Sequence, residues 1–235
     1  MLWWPSKDHM QTQKSFPPPS FMGKLSPGEQ AGLHSIAREH RYAKGNYIFQ
    51  ANQPNDTVYI LLNGRVKIIR LATGGKELIQ WFCMPGEIFG LSEDDETPYR
   101  GLYAQTLSKS DLLRIPKQDF DQLLLDHPRL ALVIVKQLAS RLRTLGNILL
   151  YLTSDDAQSR FVKLIRRLSA CYGRHEGKAV YIDVHLTHQE MADMIGVCRQ
   201  TVSSMLGEYK RAGILTSDRK GIHIQKPDSL DQQYL

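Results

Sequence analysis

From Tyr42 to about Ile115 the chain alternates every few residues between short apolar runs and turn residues. The runs are Tyr47-Ile48-Phe49, Val58 to Leu62, Val66 to Leu71, Leu78 to Phe82 and Leu112 to Ile115. Asn55-Asp56, Asn63-Gly64, Thr73-Gly74-Gly75 and Pro85-Gly86 break them. Short β-type runs at this spacing predict an antiparallel sandwich or barrel of the jelly-roll kind. Asn63-Gly64, between two apolar runs, is the strongest hairpin signal. At Pro128 the period changes. Ala131, Val135, Leu138, Leu142, Leu145, Leu149 and Leu152 step by 4, 3, 4, 3, 4 and 3 residues along a segment without proline after its first position. That spacing predicts a long helix to about Leu152 carrying a two-stranded coiled-coil seam, although a helix packed on its own domain would show the same residues. The flanking Leu132, Val133, Ile134, Ile148 and Leu150 suggest one face on the barrel and one on a partner.

The apolar run stops at Thr153-Ser154-Asp155-Asp156, where an acidic start precedes a helix from Ala157 to about Tyr172. Past Gly173 to Gly177, a strand from Ala179 to Val184 leads into Thr187-His188-Gln189-Glu190, a capping box that opens another helix. Gly196 ends it. The next helix, about Arg199 to Arg211, has Val202, Met205, Leu206 and Tyr209 on one face and stops at Gly213. Two short helices joined by a glycine-containing turn predict a helix-turn-helix, and Ile214-Leu215 with Ile222 to Ile224 predicts a small basic hairpin beside it, a wing. The fold class is α+β.

Composition narrows the class. The chain has 235 residues, 42% hydrophobic and 23% charged, within the range of an ordinary globular protein. Its longest apolar stretches fall short of the ~18–20 residues of a membrane span, and residues 1 to 22, with Trp3, Trp4 and Pro17-Pro18-Pro19, read as a mobile arm rather than a signal peptide. Cys83, Cys171 and Cys198 are too few and too scattered for a disulfide framework and fit a reducing compartment, so a soluble cytoplasmic protein with no membrane partner is expected. The net charge is +6, and the segment from Arg199 to Lys226 contributes +4 of it, with six Lys and Arg (199, 210, 211, 219, 220, 226) against two acids. A solvated helix face alone would not align Arg199, Gln200, Ser203 and Ser204 opposite the apolar stripe, where they can hydrogen-bond base edges or phosphates. Lys210 and Lys220 are candidate phosphate contacts. Cys198, at the start of this helix, is placed for a lowered thiol pKa, or is a small residue where a serine or threonine would serve.

The order of barrel, long helix and winged helix-turn-helix, with Val58 to Lys67, Pro85-Gly86-Glu87-Ile88-Phe89-Gly90 and Leu186 to Gly213, resembles the CRP/FNR superfamily of bacterial transcription regulators over about residues 24 to 226. The resemblance implies a homodimer on double-stranded DNA of inverted-repeat sequence and a contact with RNA polymerase, with Thr187 and His188 joining Cys198, Arg199, Gln200, Ser203, Ser204, Lys210 and Lys220 at the DNA. Val135, Leu138, Leu142, Leu145, Leu149 and Leu152 would form the dimer seam. It also implies four units: an arm over 1–22, a sensor barrel over 23–127, a dimerisation helix over 128–153 and a DNA-binding domain over 154–235.

The effector stays open. Cyclic-nucleotide-binding members of the family carry a Gly-Glu and Arg-Ser cassette. Gly90 and Arg100 match it, but Leu91 and Gly101 replace the ribose carboxylate and the serine, and Glu93-Asp94-Asp95-Glu96 adds repulsion. Leu145 and Gly146 stand where such members offer hydroxyls to the base. Cyclic AMP is therefore disfavoured, Gly90, Arg100 and Leu145 remain the candidate effector residues, and Arg100 can equally serve an ion pair with the acidic run. Three cysteines cannot hold a four-cysteine iron-sulfur cluster. Haem would need an axial ligand that none of His9, His34, His40, Cys83 or Met84 clearly supplies, and His185 with His188 lacks a third metal ligand. A cupin-type barrel enzyme with a DNA-binding tail is the alternative from another class. It fails because the barrel region has no histidine between Tyr42 and Ile115, and no nucleophile-base pair appears elsewhere. The cofactor is unknown, and no enzyme activity is expected.

Overall fold

A computed structural model describes residues 21–72, 75, 77–91, 98–184, 186–218 and 221–230. A 3-10 turn, Met22–Lys24, and helix α1, Pro27–Ile36, precede the barrel. Its strands are β1 (Arg38–Tyr42), β2 (Tyr47–Phe49), β3 (Thr57–Asn63), β4 (Val66–Leu71), β5 (Glu77–Cys83), β6 (Ile88–Phe89), β7 (Tyr103–Thr106) and β8 (Ser110–Pro116). They form two four-stranded antiparallel sheets, ordered β1-β8-β3-β6 and β2-β7-β4-β5. The period of two in β3 decides its packing. Tyr59 and Leu61 point between the sheets, with Phe49, Ile68, Phe89 and Leu112, whereas Val58 and Ile60 point to the other face, against Leu33, Phe120, Leu130 and Ile134 of the helices. Both faces of β3 are buried, which is why its sequence is a continuous apolar run.

Three features differ from the sequence expectation. Asn63-Gly64 is not a hairpin turn, because β3 and β4 lie in different sheets and do not pair. Gly64 is needed there for another reason. Its φ is +95°, and a Cβ would stand 2.5 Å from the Lys109 carbonyl oxygen. Elements β1, β6, β7, α1 and α2 (Lys117–Asp126) were not read from the pattern. The signal for α1 was nonetheless present in Ser26-Pro27-Gly28-Glu29, a capping box in which the Ser26 hydroxyl and Glu29 carboxylate satisfy each other's backbone N–H groups. Phe21, inside the expected arm, is 1% exposed and packs in the helix-facing core.

Helix α3 spans Pro128–Ser154. Leu130 and Ile134 bury against the barrel, with Val133 partly covered beside them. Val135, Leu138, Leu142, Leu145, Leu149 and Leu152 are all exposed along the other side, joined by Leu132 and Leu150. No helix among the described residues is long and apolar enough to cross a membrane.

The C-terminal part contains α4 (Ala157–Tyr172), α5 (His188–Ile195) and α6 (Arg199–Arg211) over a sheet ordered β11-β12-β10-β9. Its strands are β9 (Gly173–Glu176), β10 (Ala179–Ile182), β11 (Leu215–Ser217) and β12 (Ile222–Ile224). The stretch Gly173 to Glu176, to which the sequence reading assigns no element, is a strand paired to β10. Barrel residue Phe82 belongs to this domain's core cluster, its ring edge-on to Tyr172 at 6.1 Å, and Tyr172 donates its hydroxyl proton to the Phe82 carbonyl at 3.2 Å. Arg65 of the barrel bonds both the carbonyl and the carboxylate of Asp183, and Lys67 reaches Glu77 at 2.8 Å and Glu190 of α5 at 3.8 Å.

Candidate nucleic-acid interface and effector cassette

The helix-turn-helix is built from local signals that agree. Thr187 caps α5, accepting from Glu190 N, while the Glu190 carboxylate accepts from Thr187 N at 2.8 Å. Gly196 ends α5 in the left-handed conformation, φ 67° and ψ 44°, which releases the chain into the turn without the Cβ penalty another residue would carry. Helix α6 follows two residues later. Val202, Met205, Leu206 and Tyr209 are buried in the domain core, Tyr209 against Phe161 at a ring separation of 5.6 Å. Their burial turns Arg199, Gln200, Ser203 and Ser204 to the exposed side.

The exposed hydroxyls are engaged. Ser203 Oγ donates to the Arg199 carbonyl at 3.0 Å and contacts His188 Nδ1 at 2.8 Å, so the histidine is the donor in that pair. His188 thus braces α5 against α6, a role the sequence pattern did not indicate. Ser204 Oγ donates to Glu208 at 3.2 Å. Arg199 and Gln200 project from the first turn without such internal ties being needed to place them. Lys210 is exposed in the last turn of α6, about 16 Å along the helix from Arg199 at ~1.5 Å per residue. Arg219 and Lys220 lie outside the described residues. On either side of them, Asp218 N donates to the Gly221 carbonyl and Gly221 N to the Asp218 carboxylate, each at 3.0 Å.

Cys198 is the N-cap of α6 and is exposed. Its thiol is held below the usual range. The main cause is the Thr201 hydroxyl, 3.1 Å from the sulfur, followed by the backbone N–H groups of Thr201 and Gln200. The backbone N–H groups belong to the helix start from which the sequence expects a lowered thiol pKa, and Thr201 is the residue that reading missed. Cys83 is fully buried and burial pushes its thiol up, as it does that of Cys171.

The effector cassette is closed by side chains of the barrel itself. Arg100 is 3% exposed, donates to the Thr57 carbonyl at 2.6 Å with a longer contact to the Gly90 carbonyl, and lies over the Phe49 ring at 4.0 Å. A Cβ on Gly90 would meet Tyr59 at 3.0 Å and Arg100 at 3.1 Å. Tyr59 and Phe89 stack at this point, with the Phe49 ring tilted against both. Gly90 and Arg100 are therefore brought together, whereas Leu145 lines a different cavity, between the barrel, α3 and α4. The acidic run 93–96 and His185 lie outside the described residues. Among the described residues, no group of three or more His, Cys, Asp and Glu is positioned to hold a metal ion.

The first part of the chain matches the family model of the cyclic nucleotide-binding domain over residues 39–127, and the last part that of the Crp-like helix-turn-helix domain over residues 159–233. These two modules in one chain define a DNA-binding transcription regulator with a sensor-type barrel. The chain is 28% identical to the CRP-like cAMP-activated global transcriptional regulator of Mycobacterium tuberculosis, over 88% of this chain and 92% of that one. It is also 28% identical to the global nitrogen regulator of a Synechocystis strain, over 82% and 87%. Among solved structures, the c-di-GMP-responsive global regulator CLP of Xanthomonas campestris aligns with a TM-score of 0.72 at 22% identity, covering 85% of this chain and 99% of that chain. The chain belongs to the CRP/FNR superfamily of bacterial transcription regulators.

Proposed function

We propose that the protein is a cytoplasmic homodimer that binds inverted-repeat DNA sequence-specifically, regulates transcription in contact with RNA polymerase, and does so without cyclic AMP. The carrying observation is α6, whose buried stripe leaves Arg199 and Gln200 free to enter a major groove at its first turn. Arg199 pairs bidentately with guanine O6 and N7, and Gln200 suits adenine. Thr187, His188, Ser203 and Ser204 flank these readers, Cys198 sits beside the phosphates, and Lys210 and Lys220 supply sequence-independent charge. The exposed seam from Val135 to Leu152 is covered by a second copy of the chain, which sets the two-fold symmetry of the operator. Selection of binding sites from random DNA tests this reading. An inverted repeat with half-site centres about one helical turn apart is expected, with one base pair changed for Gln200→Glu. A direct repeat, no motif, or the same motif from Gln200→Glu refutes it.

Independence from cyclic AMP rests on Leu91 and Gly101 in the cassette and on an Arg100 already bonded to Thr57. The opposite reading, a cyclic-AMP-dependent regulator, has the domain model and the cAMP-activated mycobacterial relative in its favour. Calorimetry separates the two. Micromolar affinity for cyclic AMP, or DNA binding that requires the nucleotide, would establish the second.

A further inference from the structure

We propose that His188 is a proton-dependent phosphate contact. Ser203 locks it in the tautomer that can donate to DNA only when the imidazole is charged, so that DNA binding takes up a proton at each half-site. The proposal rests on the DNA-binding reading above and adds to it the chemistry of one contact.

Ser203 sets the tautomer. Its hydroxyl lies 3.0 Å from the Arg199 carbonyl oxygen, which can only accept, so the hydroxyl proton points there. The same hydroxyl oxygen lies 2.8 Å from His188 Nδ1 and has only lone pairs left to offer it. Nδ1 therefore carries a proton. A neutral imidazole has one N–H, so in the neutral form Nε2 is a bare acceptor. Among the described residues Nε2 has no hydrogen-bond partner and His188 enters no ion pair.

Position decides what the free nitrogen meets. His188 is the first residue of α5, and Ser203 stands one turn beyond Arg199 on the exposed side of α6. The bond between them holds the imidazole on the side of the domain that carries Arg199 and Gln200. In a helix-turn-helix the second helix enters the major groove while the first crosses the backbone, so a group at the start of α5 on that side meets phosphate. A phosphate oxygen is anionic and offers lone pairs only. It repels the bare Nε2 and accepts from the Nε2–H of the imidazolium. Imidazole changes charge between about pH 5 and about pH 8, so the contact is gained as the pH falls and lost as it rises. The protein's own charges are occupied elsewhere. Glu190 of α5 bonds Thr187 and pairs with Lys67 of the barrel, and Asp193 accepts from Gln189. Glu77 of β5 shares with these acids a cavity that His188 does not line. Arg160 of α4 bonds the Ile195 carbonyl at the opposite end of α5. Arg199 and the Cys198 thiol, at the start of α6, are the remaining titratable or charged groups near the imidazole.

Two measurements on the full-length protein test this. Nitrogen-15 NMR of the free protein at about pH 8 should show His188 protonated at Nδ1 and bare at Nε2, and Ser203→Ala should shift the neutral ring toward the Nε2–H form. Calorimetry with a mixed-sequence duplex long enough for two half-sites, at constant salt and in buffers of different ionisation enthalpy, counts the protons taken up on binding. Wild type should take up protons and lose about tenfold in affinity per half-site from about pH 5.5 to about pH 8, as loss of one charge-assisted bond requires. His188→Asn keeps an amide donor for Ser203 but has no titrating ring, so its profile should flatten and its proton uptake fall; what remains reports the other groups, Cys198 among them. Unchanged thermal melting shows that the variant folds. Ser203→Ala should flatten the profile from the alkaline end, where a neutral Nε2–H can still donate. A pH profile that His188→Asn leaves unchanged overturns the proposal, as does an Nε2–H tautomer in the free wild type or an affinity that rises with pH. Because every sequence carries phosphates, failure to recover an inverted repeat leaves the result standing, whereas a chain that binds no duplex at any pH refutes the DNA-binding reading and this proposal with it.

Discussion

Replacing Leu142 and Leu149 together by aspartate should convert the proposed dimer to monomers. These are the most exposed of the six seam residues in the single chain, at 71% and 65%, so the substitutions scarcely touch the monomer's own packing. The six residues together leave the equivalent of a little over three whole side chains in water. At about 1.5–3 kcal/mol for each fully buried Leu or Val, covering them contributes about 5–10 kcal/mol per chain and about twice that per dimer. Association costs ~4–15 kcal/mol in lost freedom, so the seam is large enough to hold a dimer but leaves little surplus. The two aspartates remove about 4–8 kcal/mol from the symmetric pair, about three to six decades in Kd, before any repulsion between facing carboxylates. Sedimentation velocity at micromolar concentration reads the result, and thermal unfolding confirms that the monomer is folded. A variant that sediments as the wild-type dimer would remove α3 from the interface. A wild-type chain that sediments as a monomer would refute the assembly itself.

Arg199→Ala should cost ~1–3 kcal/mol on the selected operator and relax preference at one base pair, whereas Lys210→Ala should weaken all sequences alike and lower the salt slope by about one; gel-shift titrations at several salt concentrations distinguish them. Because the Cys198 thiol is held low while burial raises Cys83 and Cys171, its thiolate appears at lower pH, so iodoacetamide should label Cys198 first and at a pH where the other two stay intact. Peptide mapping of the labelled native protein checks the order, and equal labelling would refute it. Oxidation at Cys198 should weaken DNA binding and spare Cys198→Ser; equal loss in both removes the thiol from the mechanism. Gly64→Ala should destabilise the fold by more than the ~1 kcal/mol of an ordinary glycine replacement, because φ is +95° and the new Cβ meets the Lys109 carbonyl; an unchanged unfolding midpoint would contradict that.

Local chemistry made the DNA-binding half readable from the chain. The capping box at Thr187, the left-handed Gly196 and the stripe Val202, Met205, Leu206 and Tyr209 each act within a few residues, and the placement of Arg199 and Gln200 follows from helix periodicity alone. The same holds for α3, where a 4-3 repeat is a property of one segment. Elements whose burial depends on distant partners were not readable. Strand β1 is mostly polar and exposed, and it exists because β8, seventy residues on, offers it a ladder. Asn63-Gly64 carries hairpin chemistry, yet its glycine serves a close approach to Lys109 and Ser110 while the chain passes from one sheet to the other. Arg100 looked like a ligand residue because its partners, the Thr57 carbonyl and the Phe49 ring, are far away in sequence. Elements that hydrogen bonds and side-chain spacing close within a few residues follow from residue order alone; which polar groups find partners depends on the packed fold, since burial is a property of the assembled chain.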